Sequence, residues 1–249
     1  MQRVKYNPNK KIIIVTATSQ KQTLIRYLHS EKIRLGSRGD GGYIIANNNE
    51  YDLFLSAGIE DNLDFEYEFL KTHPDIKGLA FDLESQIDKP KEQKDRLTII
   101  KKHISNFNSD CFTDLINESW DYQNIFLKMD IEGGEYNWIY HYKDFNKFKQ
   151  MVIEFHFHNE SLYSYYIRSI GKINKTHKLI HLHPNNCCGT ITYRNQNIPT
   201  VFECTFLRKT EFKEEPEIDF SPIPSELDAK NVIENEDIIL TGHPYTEIK

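Results

Sequence analysis

Three carboxylates follow a short, largely apolar run in the middle of the chain. The run at 126–129 leads directly into Asp130 and Glu132, and a glycine pair separates these from Glu135. In an open α/β sheet, ligands bind just beyond the carboxyl ends of the strands. Acidic side chains concentrated at such a strand end therefore indicate a site more than a requirement of folding.

Histidines recur with period two in two later segments. Glu154, His156 and His158 would share one face of a strand, and His181 and His183 would share one face of another. A histidine near its ordinary pKa suits the removal of a proton from a hydroxyl. The same side chains could hold a divalent metal, which would acidify a bound hydroxyl. Their spacing is diagnostic of no particular metal, so metal use is an alternative that we do not favour.

A second set of residues suggests a nucleoside site. Ser56 and Gly58 lie in a turn between a strand and a helix, where a glycine lets the backbone approach a ligand. Asp82 ends the next strand, at a spacing from which an acid can accept hydrogen bonds from both ribose hydroxyls. The full GxGxxG motif is absent, which favours a smaller adenosine ligand over a dinucleotide.

Alternating strand and helix patterns must position these residues. Such alternation is typical of an α/β fold with a mainly parallel sheet and right-handed crossovers. An isolated apolar run at 12–15 is also a predicted strand, and Leu24, Tyr27 and Leu28 have helical spacing. The main strands are predicted at 52–57, 76–81, 97–104, 125–131, 151–157, 179–183 and 201–207, with helices at 63–70, 112–118 and 161–172.

We expect a single domain in three parts. Residues 1–50 form an N-terminal extension, 51–208 the core, and 209–249 an irregular tail that packs on the core. The extension contains three glycines around Asp40, a pattern that predicts either a hairpin or a loop whose backbone approaches a ligand.

Composition and charge exclude several classes of function. The 249 residues carry a formal net charge of -6 with no long basic run, which argues against a nucleic-acid partner. No apolar stretch is long enough to span a bilayer and no secretory signal opens the chain. The four cysteines show no CxxC spacing, so reduced thiols and a cytoplasmic location are favoured over disulfides or zinc. A homo-oligomer is an open alternative to a monomer.

An ordered series of motifs resembles the FkbM-type S-adenosylmethionine-dependent methyltransferases. The resemblance implies a Rossmann-like class I methyltransferase fold, with a seven-stranded, mainly parallel sheet whose last strand is antiparallel. It also implies S-adenosylmethionine (SAM) as the methyl donor and a hydroxyl oxygen as the acceptor. The motifs run in order over residues 33–208 and read RLGSRGDGGYII, LSAGIEDNLDFE, FDLE, LKMDIEGGE, IEFHFHN, HLHPNN and PTVFECTFLR.

The same resemblance assigns residues to the cofactor. Gly58 and its turn would face the methionine part of SAM, and Asp82 would hold the ribose. Many members begin this turn with an acidic residue and a glycine-alanine pair, where this chain has Ser56, Ala57 and Gly58. Further cofactor contacts would come from a loop that closes over it, formed by Asp40, Gly41 and Gly42.

Methyl transfer to an alcohol needs a base close to the transferring methyl. The resemblance places Asp130 beside that methyl, with His156 and His183 nearby. We expect His156 to take the proton, with Glu154 or Asp130 orienting it, and His183 is the second choice. Methyl transfer from a sulfonium is an in-line displacement, so the protein's main task is to position donor and acceptor.

Three functions remain open at this point. The first is a SAM-dependent O-methyltransferase acting on a sugar or nucleotide-linked sugar, in the biosynthesis of a surface polysaccharide. The second is a metal-dependent hydrolase that uses Asp130, His156, His158 and His183. The third is a non-catalytic sugar- or nucleotide-binding module.

Overall fold

A computed structural model of the chain describes residues 13–16, 22–47, 50–193 and 196–246. The strands are β1 (Ile13–Thr16), β2 (Lys32–Gly36), β3 (Gly42–Ala46), β4 (Leu53–Ala57), β5 (Gly78–Phe81), β6 (Leu97–Ile100), β7 (His103–Ile104), β8 (Phe112–Thr113), β9 (Ile125–Met129), β10 (Phe148–His156), β11 (His177–Pro184), β12 (Thr190–Tyr193), β13 (Gln196–Pro199), β14 (Val201–Arg208) and β15 (Ile238–Thr241). The helices are α1 (Asp64–Thr72), α2 (Ile116–Ser119), α3 (Glu135–His141) and α4 (Glu160–Ile173), with 3-10 turns at Gln22–Leu24, Phe145–Lys147 and Lys209–Glu211.

The centre of the molecule is a seven-stranded sheet with the order β11-β14-β10-β9-β4-β5-β6. Strands β4, β5, β6, β9 and β10 pair in parallel, whereas β14 is antiparallel to both of its neighbours. The predicted α/β class with a mainly parallel sheet is therefore confirmed. The chain order reverses between β4 and β9, where a ligand crevice is expected at the carboxyl ends of the strands.

Alternate residues of β4 enter two separate apolar clusters. Leu55 packs in the cluster that contains Trp138 of α3 and Tyr166 of α4. Phe54, on the other face, packs in the cluster that contains Phe69 of α1. Successive side chains of a strand point to opposite faces, so the sheet is buried on both sides.

The β2–β3 hairpin extends the cover on the α1 face. Tyr43 belongs to the same cluster as the α1 aromatics. The backbone of Ala46 donates to Gln150 Oε1 on β10 at 3.2 Å, and the Thr205 hydroxyl on β14 donates to the carbonyl of Ile44. The hairpin therefore crosses the half of the sheet that α1 leaves free, and the glycine segment around Asp40 is its turn.

The C-terminal segment also packs on the sheet. Its strand β15 pairs in parallel with β1. The buried side chain of Asn231 donates to Glu203 on β14 at 2.8 Å, and Asn186 donates to the carbonyl of Val232 at 3.0 Å.

Two local predictions were wrong. The helical spacing at 24–28 does not produce a helix, because Tyr27 donates to the carbonyl of Leu179 at 2.8 Å and pairs in an isolated bridge. The predicted helix at 112–118 begins instead as strand β8, which pairs with β7, and only 116–119 are helical. In both cases pairing with another segment satisfies backbone groups that a helix would otherwise bond internally.

Several boundaries also differ from the sequence prediction. The third strand, predicted at 97–104, ends at Ile100, and β7 follows as a separate strand. Helix α3, directly after Gly134, was not predicted. The first predicted strand is present from Ile13, whereas Ile12 lies outside the described residues.

Among the described helices, none has both the length and the apolar character needed to cross a bilayer.

Candidate functional site

A cavity of about 660 Å³ lies at the carboxyl ends of β4, β5 and β9. Its volume is within the range of pockets that hold small molecules and cofactors. It lies at the reversal of strand order, which is where the fold predicts a ligand. The residues that line it include Gly58, Asp82, Glu84, His103, Asp130 and Glu132.

Gly58 has a structural reason to be a glycine. Its φ is +79°, and a Cβ at this position would lie 1.6 Å from the carbonyl oxygen of Asp130. The close approach arises because Asp130 donates its N–H to the carbonyl of Ala57 at 2.8 Å, extending the β4–β9 pairing. Gly58 also lines the cavity, so the absence of a side chain both permits the close packing against Asp130 and leaves room for a ligand.

Asp82 holds two loops at the edge of the cavity. One carboxylate oxygen accepts N–H bonds from Ile59 at 3.0 Å and Glu60 at 2.8 Å. The other accepts from Glu84 at 2.9 Å and Ser85 at 3.0 Å. Burial raises the pKa of Asp82, but these four bonds outweigh burial and lower it. Asp82, the residue predicted to bind the ribose, therefore already holds the backbone of the cavity wall in place.

Ser56 and the glycine loop lie away from the cavity lining. Ser56 is fully buried, and its hydroxyl donates to Glu66 of α1 at 2.5 Å. Asp40 lies in the hairpin turn, where its carboxylate accepts from Asn231 at 3.4 Å. Gly42 is confined by the hairpin itself, because a Cβ there would lie 2.1 Å from the carbonyl oxygen of Ser37. Gly41 adopts a φ of +78° in the same turn.

The end of β9 and the end of β10 bring Asp130 and His156 together. The ring Nε2 of His156 lies 3.8 Å from Asp130 and 3.5 Å from Glu132, and its Nδ1 donates to Glu135 at 3.4 Å. Burial lowers the pKa of His156, but the bond and charge of Glu135, with the charges of Asp130 and Glu132, outweigh it. The pKa rises to about 9, so the ring as found is protonated near neutral pH. Its predicted role as a base first requires the loss of that proton.

Tyr43 joins the two acidic strands. Its hydroxyl lies 3.0 Å from Asp130 and 3.1 Å from Glu154. Asn185 donates to the other oxygen of Glu154 at 3.0 Å. Burial raises the pKa of Glu154 well above its usual range, and the charges of Asp130 and Glu203 raise it further. Both oxygens of the Glu154 carboxyl thus accept hydrogen bonds from neighbouring side chains, and its raised pKa follows from burial among other acids.

The other histidines belong to separate pairs. His183 Nδ1 lies 3.2 Å from Glu203, and His181 Nε2 lies 2.9 Å from Asp228 in the C-terminal segment. Burial lowers the pKa of His183, but Glu203 outweighs burial and raises it. His158 follows the end of β10 and is exposed. The four residues that the hydrolase hypothesis needs are therefore not gathered into one cluster in the described structure.

Sequence reasoning missed part of the cavity wall. Glu84, His103 and Ile104 line it, but none was predicted as a site residue. A signal was available for Glu84, which lies two residues beyond Asp82. None was available for the β7 residues, because the mixed pattern at 97–104 predicts a strand within that segment and no site. The four cysteines are free thiols, and none of them lines this cavity.

Comparison with known proteins adds little at this distance. No protein-family model matches the chain, and no curated protein matches it. Membership in the FkbM family therefore stays a prediction. One solved structure that matches is an O-methyltransferase family 2 protein from Planctomyces limnophilus in complex with apigenin. It is 14% identical, with a TM-score of 0.32, and the match covers 64% of this chain and 51% of that protein. This chain thus spans about half the length of that protein, and so distant a likeness carries no argument about function.

Proposed function

We propose that this protein is a SAM-dependent O-methyltransferase that methylates a hydroxyl of a sugar or nucleotide-linked sugar. One observation carries the proposal: a cofactor-sized cavity lies at the reversal of strand order, between the Gly58 turn and the acidic end of β9. The strand order supports it, since doubly wound sheets bind nucleosides at this point. The motif series that resembles the FkbM-type enzymes supplies the choice of SAM and of a sugar acceptor.

The residues around the cavity fit an adenosine ligand. Asp82 fixes the backbone of the loops at 59–60 and 84–85, which form two sides of the cavity. Glu84 and His103 offer hydrogen-bonding groups next to those loops, and Ile104 offers an apolar surface for a base. When bound, SAM supplies an electrophilic methyl group on a sulfonium. The adjacent carboxylates would favour that positive charge.

We assign the acceptor side to the residues beyond β9 and β10. Asp130 lines the cavity and contacts Tyr43, so its carboxylate is oriented toward the place where a hydroxyl would approach. His156 lies behind it and is proposed to take the hydroxyl proton once its ring is neutral. Glu154 accepts from Tyr43 and helps to orient it, and His183 with Glu203 forms the next polar layer.

Calorimetry with SAM and with its demethylated product tests the cofactor. We expect one binding site per chain for each compound. Incubation of the protein and labelled SAM with a panel of sugars and nucleotide-linked sugars then tests turnover. Absence of binding for both compounds would overturn the proposal. Binding without turnover on any acceptor would favour the non-catalytic module.

A further inference from the structure

The ring Nε2 of His156 faces several carboxylates without a hydrogen bond to any of them. Glu132 and Glu154 lie at 3.5 Å and Asp130 at 3.8 Å. Within the described part of the chain, none of these contacts has the geometry of a hydrogen bond, although the imidazole is only 6% exposed. This nitrogen of a largely buried ring is therefore available to a ligand that enters from the cavity.

The other ring nitrogen is fixed from behind. The Nδ1 of His156 donates to Glu135, whose side chain is fully buried. The same Glu135 oxygen accepts N–H bonds from Ile131 at 3.1 Å and Gly133 at 3.2 Å. A carboxylate behind a histidine is the usual outer partner of a metal-binding imidazole, because it fixes the tautomer and the direction of the free nitrogen. Here that direction is toward the carboxylates.

The spacing of the opposing atoms suits a cation. One ligand atom each from Asp130, Glu132 and His156 lies within 4.8 Å of the other two. Ligands bonded to one metal at about 2.0–2.2 Å lie roughly 3–4 Å apart, so a small closure of exposed Glu132 completes the set. The Oδ1 of Asp130, which faces the ring, is buried and has no hydrogen bond among the described residues.

We propose that Asp130, Glu132 and His156 form a binding site for a divalent first-row transition-metal cation at the edge of the cavity. Asp130, Glu132 and Glu135 surround one imidazole here, and a cation of charge +2 offsets their negative charge. A mixed imidazole and carboxylate set favours Mn²⁺, Fe²⁺ or Zn²⁺ over Ca²⁺, which prefers oxygen ligands alone. If the proposed methyltransferase function holds, the cation would acidify the acceptor hydroxyl in place of His156, because an Nε2 bound to a cation cannot also accept a proton. Cation binding itself does not depend on that function.

Titration of the chelator-treated protein with Mn²⁺ tests the site, by calorimetry and by the loss of the free-Mn²⁺ electron paramagnetic resonance signal. We expect one Mn²⁺ per chain in the wild type. Glu132→Gln removes a ligand from a side chain that is 69% exposed, so the variant should fold. Loss of an outer partner alone costs about 10–100-fold in affinity, and loss of a ligand should cost at least about 10-fold.

Glu60→Gln is the matched control. Glu60 is exposed and lines the same cavity, but it is not one of the three proposed ligands. Its substitution removes the same negative charge as Glu132→Gln. The affinity of the Glu60→Gln variant for Mn²⁺ should stay within about two-fold of wild type. This is well below the roughly 10-fold loss of affinity expected when a ligand is removed. The proposal is overturned if the wild type binds no Mn²⁺, or if both variants lose affinity equally.

Separate titrations distinguish this site from the proposed function. Mn²⁺ binding is measured without SAM, and SAM binding is measured in the presence of chelator. Mn²⁺ binding without SAM binding would support the cation site while overturning the methyltransferase proposal. SAM binding in a protein that takes up no Mn²⁺ would overturn the cation site alone.

Discussion

Asp82 allows the sharpest test of how the cavity is held open. Its two carboxylate oxygens accept four backbone N–H bonds of 2.8–3.0 Å from two loops. Asp82→Asn keeps one oxygen but turns an NH₂ group toward two of those donors. We therefore expect the variant to lose two bonds, to lose the negative charge that strengthens the other two, and to loosen at least one loop.

The magnitude follows from the type of bond. A hydrogen bond to a charged acceptor contributes about 1.5–3 kcal/mol, so two of them contribute at most about 3–6 kcal/mol. The bonds from Glu60 and Glu84 are exposed, and water can replace them, which reduces the expected loss to about 1–3 kcal/mol. For a domain of this size, each kcal/mol changes the melting temperature by roughly 2–4 °C. Calorimetric unfolding should therefore show a decrease of about 2–12 °C.

The pH dependence of the free energy of unfolding, at acidic pH, provides a second measurement of the same effect. The pKa of Asp82 is lower in the folded protein than its ordinary value of 3.8. The folded state is thus stabilised fully above about pH 4, and this contribution is lost as the pH falls toward the lowered pKa. Wild type should lose stability in that window more steeply than Asp82→Asn, which has no carboxylate to protonate there.

The matched control is Asp75→Asn, since Asp75 is an exposed aspartate in the segment before β5. Its melting temperature should remain close to that of wild type. SAM affinity should fall by about ten-fold in Asp82→Asn, because the loops are no longer pre-organised; this corresponds to about 1.4 kcal/mol. If Asp82→Asn has the melting temperature of wild type and loses stability at acidic pH in the same way, the four bonds do not support the cavity. Our reasoning about this wall would then be wrong.

Three other substitutions test separate parts of the structure. Asp228→Ala removes the hydrogen-bond partner of His181 at 2.9 Å, in a contact whose two side chains are 2% and 3% exposed, and should cost about 1.5–3 kcal/mol in denaturant unfolding; a loss below about 1 kcal/mol would show that the C-terminal segment is not held there. Gly58→Ala places a Cβ 1.6 Å from the Asp130 carbonyl oxygen at a positive φ, so a loss of roughly 2–6 kcal/mol is expected, and a fully stable variant would contradict the β4–β9 packing. Glu84→Gln, with a side chain that is 87% exposed, should leave the melting temperature unchanged and weaken SAM binding measured by calorimetry; unchanged affinity would remove Glu84 from the cofactor wall.

The sheet could be predicted from sequence because its strands are buried on both faces. Continuous apolar runs such as those of β4 and β9 are typical of central parallel strands. The helix α3 was missed because the glycine pair before it was interpreted as a break, and because it has only seven residues. The segment around Tyr27 has helical spacing, but pairing with Leu179 overrides it, and no local pattern shows that contact.

The orientation of Ser56 could have been predicted. Period two places it on the same face as Phe54, which packs under α1, and the structure gives its hydroxyl to Glu66. The contacts of Tyr43 were not predictable in this way. Tyr43 reaches Asp130, 87 residues away in sequence, only because the hairpin folds across the sheet.

The pairing of Glu154 with Glu203 places two acids next to each other in the polar half of the sheet. These two residues lie directly opposite each other on the antiparallel strands β10 and β14, and both are nearly fully buried. Buried carboxylates cost free energy, and on the other half of the same face α1 covers apolar residues such as Phe126 instead. Tyr43 and Asn231 donate to these two acids from a hairpin and a tail that lie outside the sheet. Because a buried acid that loses its hydrogen-bond donor destabilises the fold, these two segments are needed to keep both acids beside the cavity.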